Sequence, residues 1–311
     1  MSSSQSKPAH LEPSELGTKE YWDNLYAAEL SNHAHNPADT GTVWFDDSDA
    51  EAKLTAFLAS ISSSPSSPSS SSSAAPSDDG DEPLPRPALS PPLEKNTTAF
   101  LDLGTGNGSL LFRLRDAGWR GPMLGVDYSR ASVEFARRIS LSRASSSSAA
   151  AASITFLEHD VLRASPSGLL AGSQQPDGWD VVLDKGTFDA VSLSAETTSA
   201  SPSRSVATGR RVAETYRSRV LPLVRAGGLF LVTSCNWTED ELRRWFEGDD
   251  EDDQDVGGTV ESQAGGGGEE RAIPRRHWRF ECVGRVEYPS FSFSGIKGQT
   301  ISSLCFKKVV T

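Results

Sequence analysis

From residue 99 onward the chain alternates short apolar runs with longer amphipathic ones, and the two periods predict strands and helices in turn. AFLDLG (99–104), PMLGVDYS (122–129), ITFLEHD (154–160), WDVVLDKG (179–186) and GGLFLVTSC (227–235) have the length and β-rich composition of strands. Between them SLLFRLRDAG (109–118), closed by Gly118, ASVEFARRIS (131–140) and RVAETYRSRVLPLV (211–224) carry apolar residues at helical spacing. TEDELRRWF (238–246) predicts a further helix, with Thr238 as N-cap and Glu241 completing a capping box. Two last strands, WRFECVGRVEYP (278–289) and TISSLCFKKV (300–309), are joined through FSFSGIKGQ with no helix between them. This order predicts an α/β fold: a Rossmann-like, doubly wound sheet of seven strands, parallel except for an antiparallel last strand. Ahead of it, KEYWDNLYAAEL (19–30) and DAEAKLTAFLAS (49–60) predict amphipathic helices that flank the sheet or cover it.

Four stretches interrupt the pattern: about 60–93, 144–153, 194–209 and 247–270. Their Ser, Ala, Pro, Gly and acidic composition cannot bury enough apolar surface to offset the entropy of ordering, so each is expected to be a low-complexity insertion. The first 14 residues are expected to be disordered as well, leaving one domain over 15–311. Without the insertions a core of roughly 210 residues remains, enough for one buried interior. The formal charge of −12 lies mainly in these segments, since 247–270 alone holds ten acidic residues and no basic one. The ordered core is therefore near neutral, which argues against indiscriminate nucleic-acid binding. No run approaches the ~18 apolar residues of a membrane span, and the N-terminus lacks an apolar run after its lysine. A cytoplasmic, monomeric protein with neither nucleic acid nor membrane as a partner is expected. Cys235, Cys282 and Cys305 lack metal-ligand spacing, the five histidines lack a partner at ligand spacing, and no metal is expected.

In LDLGTGNGSL the first strand runs into Gly104, Gly106 and Gly108 and then into a helix, so backbone can bend sharply and approach a ligand. Asp127 ends the next strand, 21 residues beyond Gly106, where a carboxylate can accept both hydroxyls of a ribose. A nicotinamide dinucleotide needs its third glycine at position 109, which is Ser109. Asp102, just ahead of the glycines, repels phosphate but can orient a ligand ammonium, and S-adenosylmethionine has an ammonium, a ribose and no phosphate. Asp160 is placed either to take the adenine amino group or to cap a turn. Asp184 ends the fourth strand, at the edge where doubly wound sheets keep their chemistry; it can hold an incoming amine and help release its proton, or bond to Lys185 or loop amides. Asp189 reads as a cap or loop ligand. Trp44, Trp237, Phe291 and Phe293 either wall a lysine channel or pack in the core.

LGTKEYWDNLY (16–26), DTGTVWF (39–45), LDLGTGNG (101–108), GVDYS (125–129), LDKGTFDAVSL (183–193), TSCNWTEDEL (233–242) and FSFSG (291–295) together resemble one family. It is that of the seven-β-strand, S-adenosylmethionine-dependent protein-lysine methyltransferases acting on translation elongation factor 1-alpha. The resemblance implies methylation of a lysine ε-amino group on that factor, with cofactor contacts at Gly104, Gly106, Asp127 and Asp160. Methylation of another protein or of a small amine, and an inactive cofactor-binding interaction protein, are the other readings the residues allow. The insertions depart from the family pattern, above all 60–93 and 247–270.

Overall fold

The structure, a computed structural model, describes residues 7–62, 92–146, 154–170, 175–198, 209–247, 277–293 and 296–311. Two helices come first, α1 (Lys19–His35) and α2 (Ala50–Ser62). Then strands and helices alternate: β1 (Phe100–Leu103), α3 (Ser109–Asp116), β2 (Met123–Asp127), α4 (Arg130–Ser146), β3 (Thr155–Glu158) and α5 (Ser167–Leu170). The second half holds β4 (Trp179–Lys185), α6 (Thr187–Ser192), α7 (Tyr216–Val220), β5 (Val224–Ser234) and α8 (Glu239–Phe246). It ends in β6 (Trp278–Val286), β7 (Ser290–Phe293), β8 (Ile296–Gln299) and β9 (Ser302–Val310).

Seven strands form one sheet in the order β3-β2-β1-β4-β5-β9-β6. The first five are parallel, and β9 inserts antiparallel between β5 and β6. The expected sheet and its antiparallel last strand are both present. Strand order reverses between β1 and β4, so the segments leaving their carboxyl ends run to opposite faces of the sheet and open a crevice there.

Two apolar layers sandwich this sheet. One joins Phe100, Leu183, Leu229 and Leu231 to α1–α4 through Tyr26, Leu54, Leu111 and Phe135. The other joins Leu101, Leu103, Val182 and Phe230 to α6–α8 through Phe188, Tyr216, Leu242 and Phe246. Alternate residues of β1 and β4 therefore point into different layers, as the two-residue period of a strand requires.

Several boundaries differ from expectation, each for a physical reason. The segment 211–224 is not one helix. It is a 3-10 turn (Val212–Thr215), the short α7 and a second 3-10 turn (Leu221–Leu223), because Pro222 has no N–H to continue an α-helix and its ring collides with the preceding turn. FSFSGIKGQ forms a separate two-stranded hairpin, β7 with β8, instead of a plain connection. Of the expected unstructured N-terminus, residues 7–14 lie against the domain: Ser14 N–H donates to Leu193 O (3.1 Å), His10 meets Glu214 (3.2 Å), and Leu11 packs on the second layer. The insertions are narrower than expected. Residues 60–62 finish α2, Leu93 is buried, 144–146 finish α4, and Thr197 pairs with Arg211. Residues 63–91, 147–153, 199–208 and 248–270 lie outside the described residues.

The capping box on α8 is present as read. Thr238 Oγ1 accepts from Glu241 N (3.4 Å) and Glu241 Oε2 accepts from Thr238 N (3.0 Å), fixing the entry of a helix whose Trp245 and Phe246 pack on the second layer. Thr238→Ala should cost about 1 kcal/mol, seen in calorimetry as a thermal midpoint about 2–4 °C lower; an unchanged midpoint would show that tertiary packing alone holds α8.

Candidate active site

The crevice at the carboxyl edge is a cavity of about 220 Å³, floored by Gly104 after β1, Asp127 and Tyr128 at the end of β2, Asp160 after β3 and Lys185–Thr187 after β4. Leu16 and Gly17, with Trp22 and Tyr26 of α1 and the Trp44–Phe45 segment, form its roof. A smaller chamber of about 20 Å³ adjoins it, lined by the glycine loop with Asp102, Thr42 and Ser109. Tyr26, Trp44, Gly104 and Lys185 line both.

The glycine loop works by close approach. Gly104 and Gly106 have φ of +63° and +57°, and a Cβ on Gly106 would stand 2.5 Å from the Tyr26 hydroxyl, while one on Gly104 would strike Thr187 Oγ1. Asp127 ties the loop down, its Oδ2 accepting from Gly106 N (3.1 Å) and its Oδ1 from Ser129 N (2.9 Å). Burial raises its pKa, and these two N–H donors oppose the rise. Asp102 accepts from Thr105 Oγ1 (2.7 Å); burial pushes its carboxyl up to about 7, against the pull of that hydroxyl and of the Lys185 charge. Asp160 caps the turn that follows, accepting from Leu162 N (2.9 Å) and Arg163 N (3.1 Å), and it lines the cavity. His159, left without chemistry by its spacing, lies on the same wall, and burial lowers its pKa.

Two expected site residues belong to the core. Asp184 is 1% exposed and is not on the cavity wall. Its oxygens accept from Thr187 N (2.9 Å), Phe188 N (3.1 Å) and Tyr216 Oη (2.6 Å), so it caps α6 and ties it to α7. The role expected for it, holding the incoming amine, does not fit, because strand alternation sends its side chain to the layer opposite the roof. Trp237, 4% exposed, stacks on Phe188 and donates to Ser192 Oγ (3.1 Å), which makes it core packing. Trp44 does reach the cavity. Phe291 and Phe293 fall in β7, but their side chains lie outside what is described.

Lys185, Trp22, Tyr26 and Tyr128 line the cavity without having been picked out individually from the sequence. Trp22 and Tyr26 stand one helical turn apart on α1, a signal that a flanking helix carries an aromatic face. Asp189 is the loop ligand it was read to be. It accepts from Cys235 N (2.8 Å) and the Ser234 hydroxyl, shaping the turn that brings Cys235 and Asn236 to the cavity. Burial and the Asp189 charge push the Cys235 thiol up to about 12, so it stays a thiol at neutral pH.

A methyltransferase-domain family matches residues 94–271. The chain is 33% identical over 300 residues to protein-lysine N-methyltransferase EFM4 of Saccharomyces cerevisiae, covering 96% of this chain and 97% of that protein. This chain belongs to the protein-lysine N-methyltransferase family. It is also 36% identical to efm4 of Schizosaccharomyces pombe (76% of this chain, 82% of that protein) and 27% identical to human EEF1A lysine methyltransferase 2 (96% and 88%). The methyltransferase uses S-adenosylmethionine as methyl donor. Its cleft fits that cofactor: a cradle that a Cβ at Gly106 would fill, buried carboxylates at Asp127 and Asp102, and a buried Trp44 indole N–H with no partner among the described residues. No group of described side chains could hold a metal ion.

Asp184→Asn tests the reassignment. The amide oxygen still accepts from the two α6 amides, so cofactor affinity and turnover should stay within a few-fold of wild type. Burial pushes the Asp184 carboxyl up to about 7, against about 3.9 in an unfolded chain. The folded chain then holds a proton that the unfolded chain releases, so the stabilising contribution is full below about pH 4 and is lost as pH rises through about 7. The amide does not titrate. The variant's thermal midpoint relative to wild type should therefore rise from about pH 5 to about pH 8, and a hundredfold loss of turnover with cofactor binding intact would return Asp184 to the chemistry.

Proposed function

We propose that this methyltransferase modifies a lysine ε-amino group of translation elongation factor 1-alpha in the cytoplasm, acting as a monomer on a protein and not on nucleic acid. The reading is carried by one observation: a relative whose name specifies protein-lysine methylation aligns over 96% of the chain. That span includes the roof segments at 16–26 and 39–45. EEF1A lysine methyltransferase 2 of human, similar over the same span, names the elongation factor as its substrate. The chain contains no described helix long and apolar enough to cross a membrane.

When bound, S-adenosylmethionine supplies an electrophilic methyl group on a sulfonium. The chain's part is to bind, orient and exclude water. Asp127 receives the ribose hydroxyls, and Asp160 and its turn the adenine edge. Asp102, Gly104 and Gly106 receive the amino-acid end. The mouth is aromatic, with Trp22 edge-on to Trp44 at 5.4 Å and Phe45 beside it. Flat apolar rings pack along the aliphatic stem of a lysine and attract its cationic tip while it enters. Apolar walls also disfavour the charged form of a buried amine, which shifts the substrate lysine toward the neutral nucleophile the reaction needs.

Recombinant chain incubated with labelled methyl donor and purified elongation factor 1-alpha should label the factor, with mass spectrometry placing the methyl group on a lysine. Labelling of a different protein in a cytosolic extract, with the factor unmodified, would overturn the substrate and leave the fold and cofactor standing. Asp127→Ala should bind the demethylated cofactor roughly 10- to 100-fold more weakly by calorimetry, through loss of hydrogen bonds to a charged acceptor; unchanged affinity would remove Asp127 from the ribose site.

A further inference from the structure

We propose that Lys185 binds the carboxylate of the cofactor's amino-acid end, with its ammonium held in place by the Trp44 carbonyl and Glu51; the inference rests on the cofactor reading above. An α-amino acid presents an ammonium and a carboxylate on one carbon, so its receptor needs one anion and one cation close together. The small chamber offers one of each among its described lining residues, Asp102 and Lys185. Both stand on the same face of the sheet. In the β1–β4 register Asp102 lies opposite Leu183, and Lys185 is two residues farther toward the carboxyl edge. The chamber has room for one or two groups the size of a water molecule, which suits the polar head of an amino acid and not an adenine ring.

The ammonium itself is fixed from behind. Lys185 Nζ donates to Trp44 O at 3.1 Å and lies 3.5 Å from Glu51 Oε1, and Glu51 is itself held by Ser109 Oγ at 2.5 Å. An ammonium has three donors. One is directed at the Trp44 carbonyl, and Glu51 lies beside the ammonium as a counter-charge, so donors remain for the chamber. Glu51 is not on the chamber wall, so it offsets the charge of Lys185 without occupying the ligand's place. That offset matters because an unbalanced cation at the junction of the two chambers would oppose a sulfonium nearby. The Trp44 indole N–H, buried and without a described partner, gives the carboxylate a second donor in the same chamber.

Other cations at the cleft are committed elsewhere. Lys19 bonds to both oxygens of Asp23 (2.9 and 2.7 Å), and Arg163 bonds to Asp160 and Glu196 (3.0 and 2.5 Å) at the opposite end of the large cavity.

Calorimetry on the full chain tests this with three ligands: S-adenosylhomocysteine, its decarboxylated analogue, which keeps the ammonium, and 5′-methylthioadenosine, which has neither group. Wild type should prefer S-adenosylhomocysteine to the decarboxylated analogue by roughly 10- to 100-fold. In Lys185→Met that preference should collapse while methylthioadenosine binds as before, which also reports that the variant is folded. Equal weakening toward all three ligands would make Lys185 a structural residue and overturn the proposal. A wild-type chain with no preference between the first two ligands would overturn it without recourse to the variant. Wild type binding none of the three would instead remove the cofactor reading itself, and the proposal with it.

Discussion

The carboxylate of Asp127 joins the end of β2 to the glycine loop after β1, and the cleft depends on that tie. With Gly106 N–H on one oxygen and Ser129 N–H on the other, two turns that would otherwise be free loops are fixed relative to each other. Ser132 Oγ donates to Gly106 O at 2.8 Å, so the first turn of α4 holds the same loop from below. A carboxylate taken this far from water is expensive unless its lone pairs are used. Here the bonds that make its burial tolerable are the same bonds that shape the glycine loop.

The roof is attached to this cradle by side chains from distant parts of the chain. Asn107 Nδ2 donates to Thr40 O (2.8 Å) and Thr42 O (3.1 Å), Glu29 of α1 accepts from Thr42 N (2.8 Å), and Lys185 donates to Trp44 O. The 40–45 segment has no regular hydrogen-bonding partner strand, and these contacts satisfy Thr40 O, Thr42 N, Thr42 O and Trp44 O. Its aromatic residues consequently sit at fixed positions over the crevice, with Trp44 edge-on to Trp22. A roof bonded to the floor in this way keeps the aromatic walls in place over the crevice.

Four aspartates gather at the carboxyl edge of the sheet, and the side of the sheet decides what each one does. Asp102, Asp127 and Asp189 border the cleft. Asp184 is spent on the start of α6 and on Tyr216, and Asp189, whose bonds go to the turn after β5, shapes the cleft through the backbone of Cys235 and Asn236. Burial raises the pKa of all four, but only at the cleft can a ligand supply the missing partners. A perturbed carboxylate is therefore a marker of the site only when it also reaches a cavity.

Sequence alone determined the order of the seven sheet strands, the antiparallel close of the sheet, the glycine loop with Asp127 beyond it, and the α8 capping box. Each is set by local backbone chemistry: missing side chains, hydrophobic period, and cap residues three positions apart. Tertiary structure alone decided which face each residue of β4 meets. β4 is buried along nearly its whole length because a central parallel strand is covered on both sides, so its apolar run Val181–Leu183 carries no inside or outside. Asp184 and Lys185, neighbours in sequence, consequently point to opposite layers, and the residue that reads as chemistry is the cap while its neighbour lines the small chamber. Trp237 and Trp44 divide the same way. Both are aromatic residues in short motifs, and only the packing of α6 and α8 around one, and the approach of α1 to the other, separates core from cleft.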